Sequence, residues 1–336
     1  MNKPTSRPIP TPRAPAIIQK FPDPVWVGEK QESIIHPEFS GLTFITGFRG
    51  KGKSSLLEKF DHPSNLVIVD LESKEEEDAT KQLEVGGYFP VMKELAQLYG
   101  ADYDIGDVYR RVLQIVEAMP KDRFTVFAID NAQEFGEGAK QYIRNNPDLA
   151  RKYGILPENL PGNKYGAAQS GAKHLINNIY HTVMAKVKCF IVTFQLRAAW
   201  QDNKPAFNKF RTTEVTIWHE LSKLTLVMTD PIPEHFPIPR AYVMKEAYSL
   251  KKWNPERKMV DQIRRIPPAI PCATPQDIYS YLDKGWDPRN PKPGEMVTAL
   301  EISPFTPTFS NEQLFLLERM ARAQKSLGMA GEGEGE

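Results

Sequence analysis

The residues from position 47 to position 54 have the types and spacing of a phosphate-binding loop. They read Gly-Phe-Arg-Gly-Lys-Gly-Lys-Ser, which fits a glycine, any four residues and then Gly-Lys-Ser. Glycines let a backbone close around phosphate oxygens, and N–H groups at a helix start favour an anion. Lys53 is predicted to contact the β- and γ-phosphates of ATP, and the Ser54 hydroxyl is predicted to ligate Mg²⁺.

The surroundings of this loop favour the same interpretation. The apolar run Leu42–Thr46 enters it as a predicted strand, and a predicted helix begins at Lys53. A glycine-rich surface turn with a solvated lysine is the alternative. The predicted nucleotide-binding residues are Gly47, Phe48, Arg49, Gly50, Lys51, Gly52, Lys53, Ser54 and Ser55.

A second apolar run ends in an acid. Phe124–Asp130 is apolar almost throughout, and Asp130 closes it. An acid at the end of a buried strand suits the Walker B carboxylate that supports Mg²⁺ in P-loop proteins. Asp130 is therefore predicted to serve the metal together with Ser54. Taken alone, Asp130 also fits a helix N-cap or a turn.

Two further carboxylates follow the run Leu66–Asp70. The chain continues as Asp70-Leu71-Glu72, so two acids stand two residues apart at a strand end. One of them could activate or orient the attacking water as a general base. Glu72 is the predicted catalytic residue of this pair. The acidic run at 75–78 is instead typical of a solvated helix start.

Gln195 follows the run Cys189–Phe194, where its amide could contact the γ-phosphate. It joins Lys53 and Glu72 as a predicted catalytic residue. An ordinary polar residue at a strand end is the alternative. The loop beyond it interleaves cations with aromatic residues, a pattern suited to single-stranded DNA. A solvated loop with aromatic side chains tucked beneath it is the alternative. The predicted DNA contacts are Arg197, Trp200, Lys204, Lys209 and Arg211.

The elements that must position these residues alternate along the chain. Apolar runs on both faces are typical of strands covered on both sides, so we predict an α/β fold with a mostly parallel sheet flanked by helices. The predicted strands are Leu42–Thr46, Leu66–Asp70, Phe124–Asp130, Cys189–Phe194 and Leu224–Met228. The predicted helices are Ser54–Phe60, a stretch around Tyr88–Tyr99, Asp107–Met119 and Ser170–Lys186.

Proline placement divides the chain. Seven of the 29 prolines lie in residues 1–24 and fourteen in 231–310, and proline is excluded from helix interiors and central strands. The regular core is therefore expected between these two segments. We predict a disordered Pro-rich arm at 1–27, the core at 28–250, a Pro-rich extension at 251–310, and a short helix with a disordered acidic Gly/Glu tail at 311–336.

Composition limits the surroundings of the protein. The formal net charge of +1 gives no global attraction to nucleic acid, so a DNA-binding surface must be local. Cys189 and Cys272 are too few for a disulfide framework or a four-cysteine zinc site, which fits a reducing, cytoplasmic location. There is no run of about 18 apolar residues, so no membrane partner is expected.

The order of these motifs resembles the RecA-like P-loop ATPase core, especially the phage-encoded ATPases linked to recombination and single-strand annealing. The resemblance covers about residues 38–250. It implies that Glu72 is the catalytic carboxylate, that Gln195 precedes a DNA-binding loop, and that subunits assemble into a ring or filament. Tyr242–Lys245 is similar to the strand that presents a lysine to a neighbouring subunit's nucleotide, so Lys245 is a trans-acting candidate.

Other P-loop classes fit less well. A GTPase needs Asn-Lys-x-Asp, and the string Asn163-Lys164-Tyr165-Gly166 lacks the aspartate. A small-molecule kinase usually carries an arginine-rich lid, and the Arg and Lys residues here are not clustered in that way after the Walker B strand. An AAA+ protein needs a helical lid with a sensor arginine, and the proline-rich segment 231–310 is unsuited to form one.

Two functions remain open. One is a Mg²⁺-dependent ATPase acting on DNA in phage or mobile-element recombination, annealing or replication. The other is an ATP-dependent interaction module or loader that recruits a replication or transposition partner, with little DNA contact of its own.

Overall fold

The strands of this protein form one large sheet and one small ribbon. The computed structural model describes residues 21–72, 84–100, 103–160, 165–201, 204–212, 216–256, 258–302 and 305. Within these ranges the sheet has nine strands. They are β1 (Gly41–Gly47), β2 (Leu66–Asp70), β3 (Gly87–Pro90), β4 (Val126–Asp130), β5 (Cys189–Gln201), β6 (Lys204–Thr212), β7 (Ser222–Thr229), β8 (Arg240–Glu246) and β11 (Ala269–Ile270). The ribbon consists of β9 (Leu250–Asn254) and β10 (Met259–Ile263).

Helices alternate with these strands and cover both faces of the sheet. They are α1 (Lys53–Leu57), α2 (Val91–Tyr99), α3 (Gly106–Ala118), α4 (Ala132–Asn145), α5 (Pro147–Lys152), α6 (Tyr165–Met184), α7 (Thr216–Leu221), α8 (Pro275–Lys284) and α9 (Ala299–Ile302). Apolar side chains of α2 to α7 belong to one buried cluster, and those of α1 and α8 belong to a second. Phe190 and Ile191, successive on β5, fall in different clusters, because neighbouring strand residues point to opposite faces.

The order of the sheet is β11-β8-β7-β1-β5-β4-β2-β3, with β6 paired to β5. The six strands from β7 to β3 pair in parallel, whereas β8, β11 and β6 pair in antiparallel fashion. This confirms the predicted α/β class with a mostly parallel sheet flanked by helices. The carboxyl ends of the parallel strands share one edge, which we call the carboxyl edge, and the opposite edge is the amino edge.

The predicted strands are confirmed, with longer bounds for three of them and a start two residues later for β4. Two segments were predicted wrongly, and the first is Arg197 to Arg211, which is not a loop. β5 continues past Gln195 and pairs with β6, so that Arg197 lies opposite Arg211 in an antiparallel hairpin. The overlooked signal is the sequence Asp202-Asn203, two turn-forming residues between the strands. The start of the predicted helix around Tyr88 is also a strand, since Gly87–Pro90 pairs with β2.

Segments on either side of the predicted core pack against it. Phe21 is buried, and the Val27 N–H donates to the Gly86 carbonyl at 2.8 Å. From the predicted extension, β11 pairs with β8, and Ile278 and Leu282 of α8 are fully buried. Residues 1–20 and the tail from 306 lie outside the described residues. No helix in the described part of the chain is long and apolar enough to cross a membrane.

Candidate functional site

The carboxyl edge of the sheet brings together the strand ends that carry the predicted residues. Gly47 pairs with Gln195 across β1 and β5, and Asp70 pairs with Asp130 across β2 and β4. Neighbouring strands in a sheet are about 4.8 Å apart. The start of the P-loop, the predicted metal carboxylate and the predicted γ-phosphate contact therefore belong to one continuous row of strand ends.

The loop after β1 needs a glycine at position 52, both for its backbone conformation and for its packing. Gly52 has a φ of 72°, and a Cβ there would lie 2.9 Å from Cγ of Pro239. Lys53, only 8% exposed, turns its ammonium inward and donates to the Phe48 carbonyl at 3.0 Å. A buried lysine inside a glycine cradle at a helix start fits a polyphosphate.

Two polar groups flank this cradle. The half-buried Ser54 lies in the first turn of α1, beside the more exposed Ser55. On the other side, the Lys51 ammonium forms an ion pair with Asp230, the residue that follows β7. Sequence reasoning missed Asp230, although a polar residue at the end of a buried strand is the signal that identified Asp130. The pair ties the loop to the neighbouring strand.

Asp130 is held by a neighbour that the sequence pattern did not reveal. The Thr193 hydroxyl donates to Oδ1 of Asp130 at 2.5 Å and accepts the Asn131 N–H at 2.7 Å. Asp130 is 8% exposed, and no other side-chain donor among the described residues contacts its carboxylate. One carboxylate oxygen is thus oriented by Thr193, and the second is left for a cation. This donor set fits Mg²⁺, which favours oxygen ligands.

Changing Thr193 to valine is expected to raise the Mg²⁺ concentration needed for half-maximal ATP hydrolysis by about 10- to 100-fold, because residues that orient a metal ligand contribute this much to metal affinity. A Mg²⁺ titration of ATPase activity measures the shift. Thr193→Ser keeps the hydroxyl and should restore the wild-type curve, whereas Asp130→Asn should shift it further. A wild-type curve for Thr193→Val would contradict the role of Thr193.

Asp70 and Glu72 have different surroundings. Both carboxylate oxygens of the buried Asp70 accept hydrogen bonds, from the Tyr88 hydroxyl at 2.6 Å and from the Glu72 N–H at 2.8 Å. Asp70 therefore fixes the turn on which Glu72 stands. Glu72 itself is half-buried at the carboxyl edge. Of the two acids, Glu72 has the position that suits reaction with a ligand.

Gln195 is half-buried at the point where β5 leaves the sheet and enters the hairpin. Arg197, two residues on, is exposed. The side chains of the other predicted DNA contacts lie outside the described part of the structure, namely Trp200, Lys204, Lys209 and Arg211. The backbone of β5 and β6 nevertheless places these positions on one hairpin that continues directly from Gln195.

Lys245 directs its ammonium toward the amino edge, away from the P-loop of its own chain. Its backbone pairs with Thr225, the fourth residue of β7. Its ammonium donates to the carbonyls of His219 and Glu220, each at 2.8 Å, at the end of α7. Burial lowers the pKa of this ammonium. Within the chain Lys245 thus caps α7, and its trans-acting role stays a prediction.

A cavity of about 250 Å³ lies beside the P-loop. One wall comes from the loop and α1, and the other from Pro237–Pro239 and the turn before α8. The Ala273 N–H donates to the Pro239 carbonyl at 2.8 Å, which fixes the second wall. The lining residues are Gly50, Gly52, Ser55, Leu56, Lys59, Pro237, Ile238, Pro239, Ala273 and Thr274.

Comparisons with known proteins add little to this geometry. No protein-family model matches the chain, and no curated protein matches it. Among solved structures, it is similar to the assembled ATPase EscN from the enteropathogenic E. coli type III secretion system, with 13% identity and a TM-score of 0.34. The match covers 60% of this chain and 46% of that one, so the chain spans less than half of that protein's length. A likeness of this size does not assign the chain to a family.

Proposed function

We propose that the protein is a Mg²⁺-dependent ATPase that acts on DNA. The observation that carries the proposal is the row of strand ends at the carboxyl edge. There, a glycine cradle around the buried Lys53 is followed by Gln195 on the next strand and Asp130 on the strand after that. A phosphate-binding loop, a metal carboxylate and a polar contact for the terminal phosphate are the parts that phosphoryl transfer to water requires.

Each residue has a defined task in this proposal. Lys53 and the loop N–H groups bind the β- and γ-phosphates. Ser54 and Asp130 would hold Mg²⁺, which neutralises charge on the triphosphate when bound. Glu72 orients or deprotonates the attacking water. Gln195 contacts the γ-phosphate, and the cavity beside the loop accepts the nucleoside.

The hairpin of β5 and β6 links this site to DNA. It begins directly after Gln195, so a contact with the γ-phosphate would be transmitted to the hairpin along one strand. By reciprocity, DNA bound there would alter the affinity for ATP. We further propose that subunits assemble into a ring or filament, in which a charge from the neighbouring chain stabilises the transition state. Sedimentation with ATP, Mg²⁺ and DNA tests the assembly.

An ATPase assay with and without single-stranded DNA tests the function as a whole. Stimulation by DNA supports an ATPase acting on DNA. If ATP binding or hydrolysis is unchanged by DNA, the result supports an ATP-dependent interaction module, the second function left open by the sequence. Absence of both ATP binding and hydrolysis would overturn the proposal.

The triple variant Lys204→Ala, Lys209→Ala, Arg211→Ala is expected to bind single-stranded DNA more weakly and with a flatter dependence on salt. Each lost phosphate contact lowers the slope of log K against log salt by about 0.7. Fluorescence anisotropy of a labelled oligonucleotide at several salt concentrations measures this slope. DNA-free ATPase activity should stay near wild type.

A matched triple variant controls for net charge. Lys121, Lys152 and Lys284 are exposed on other elements, and their change to alanine should leave the slope unchanged. If the hairpin variant keeps the wild-type slope but loses self-association, the hairpin is a contact between subunits.

A further inference from the structure

The ribbon of β9 and β10 exposes apolar side chains on both faces. Trp253 is 59% exposed, and the other large apolar residues of the ribbon are 42–54% exposed, namely Leu250, Met259, Val260 and Ile263. In the described part of the chain, the two strands form a sheet of their own. An isolated two-stranded hairpin is marginally stable in water, and a contiguous exposed apolar patch marks a binding surface.

Hydrogen bonds just before and just after the ribbon attach it to the core. β8, which leads into it, ends at Glu246 opposite Leu224, at the amino edge of the sheet. Just before the ribbon, the Tyr248 hydroxyl donates to the Ser40 carbonyl at 3.1 Å. Just after it, the Arg264 guanidinium donates to the Val243 carbonyl at 2.9 Å. The ribbon thus projects from the amino edge, away from the P-loop.

Cations stand beside the exposed aromatic ring. Trp253 pairs with Val260, and Lys251 pairs with Gln262, so Lys251 and Trp253 share one face of the ribbon. Lys252 is exposed on the other face, and Lys258 is exposed near the turn. Between positions 250 and 263 the sequence has four basic residues and two acidic ones. The ribbon therefore combines a stacking surface with positive charge.

We propose that this ribbon is a binding surface for single-stranded nucleic acid, in which Trp253 stacks on a base and Lys251, on the same face, contacts a phosphate. The inference rests on the DNA-acting part of the proposed function and adds a second contact at the opposite edge of the sheet. Aromatic rings interleaved with cations are the usual platform for single strands.

A second copy of the chain is the less favoured occupant. The centres of protein–protein interfaces are depleted of lysine, and two such ribbons facing each other would bring like charges together. Phosphates meet the same lysines with opposite charge. The chemistry of the ribbon is therefore complementary to a nucleic acid strand.

Anisotropy of a labelled oligothymidylate with the full chain tests the proposal. Trp253→Ala should bind roughly 5- to 150-fold more weakly, the range found for loss of one stacked base. Trp253→Phe keeps an aromatic face and should lose much less. Lys251→Gln should lower the salt slope by about 0.7, the value for one phosphate contact.

Lys121→Gln is the matched control and should bind like the wild type. If the wild type binds no oligonucleotide, both this inference and the DNA-acting part of the proposed function fail. If the wild type binds and the ribbon variants bind equally well, this inference alone is overturned. Loss of self-association by the ribbon variants at unchanged oligonucleotide affinity would overturn it too, and would make the ribbon a contact between copies.

Discussion

Replacing Lys53 with alanine is expected to abolish ATP hydrolysis and to weaken ATP binding. The lysine is buried inside the P-loop, where its ammonium donates to the Phe48 carbonyl. In Lys53→Ala, a triphosphate in this cradle would no longer meet the side-chain charge that the loop directs inward. Removal of a single preorganised donor from a transition state lowers kcat by about 10²–10³-fold. Phosphate release and fluorescent-nucleotide binding measure the two effects.

Lys121→Ala provides the matched control for this experiment. Lys121 is exposed in the turn before β4. Because β4 starts at the amino edge, this turn lies at the opposite edge of the sheet from the P-loop. Its change removes the same charge from the protein and should leave turnover intact. Wild-type turnover in Lys53→Ala would disprove the assignment of this loop to phosphate binding.

Glu72→Gln is expected to retain ATP while turnover falls by about 10²–10⁴-fold, the usual contribution of a general base. The amide keeps the size of the side chain and removes its ability to accept a proton. Single-turnover hydrolysis, measured after ATP binding has been saturated, separates the chemical step from affinity.

Asp70→Asn is the informative comparison for Glu72→Gln. Asp70 accepts hydrogen bonds from the Tyr88 hydroxyl and the Glu72 N–H, so Asp70→Asn should mainly lower the free energy of unfolding. A loss of about 1–3 kcal/mol is expected, because hydrogen bonds to a charged group contribute this much. Urea unfolding measures it. Normal hydrolysis by Glu72→Gln together with a large catalytic loss in Asp70→Asn would transfer the catalytic role to Asp70.

Local patterns predicted the central part of the fold well. β2 has the predicted bounds, Leu66–Asp70, because a short apolar run of β-branched residues before an acid has few other solutions. The strand before the P-loop, β1, extends only one residue beyond its predicted bounds at each end. These elements are fixed by residues that neighbour one another in sequence, so a single sequence carries enough information to locate them.

Other features depend on contacts between distant parts of the chain. Thr193 looks like any residue of a buried strand, and only the pairing of β4 with β5 brings its hydroxyl to Asp130. The hairpin of β5 and β6 was overlooked because its strands interleave cations with aromatic and small residues, a pattern that also suits a DNA-binding loop. The helix Ala132–Asn145 is rich in small and polar residues, so its apolar stripe was not recognised. Strand register and side-chain packing between distant parts of the chain determine these three features.

The cavity beside the P-loop gives the protein a natural attachment point for a reporter dye. Its wall includes Ala273, directly after Cys272, which is partly exposed. The other cysteine, Cys189, is fully buried, and burial raises the pKa of its thiol to about 12. Burial and Asp277 also raise the pKa of the Cys272 thiol, so access to solvent is what distinguishes the two cysteines. The fully buried Cys189 should therefore stay unmodified in the folded protein. A fluorophore on Cys272 would therefore sense nucleotide entry in the unmutated chain.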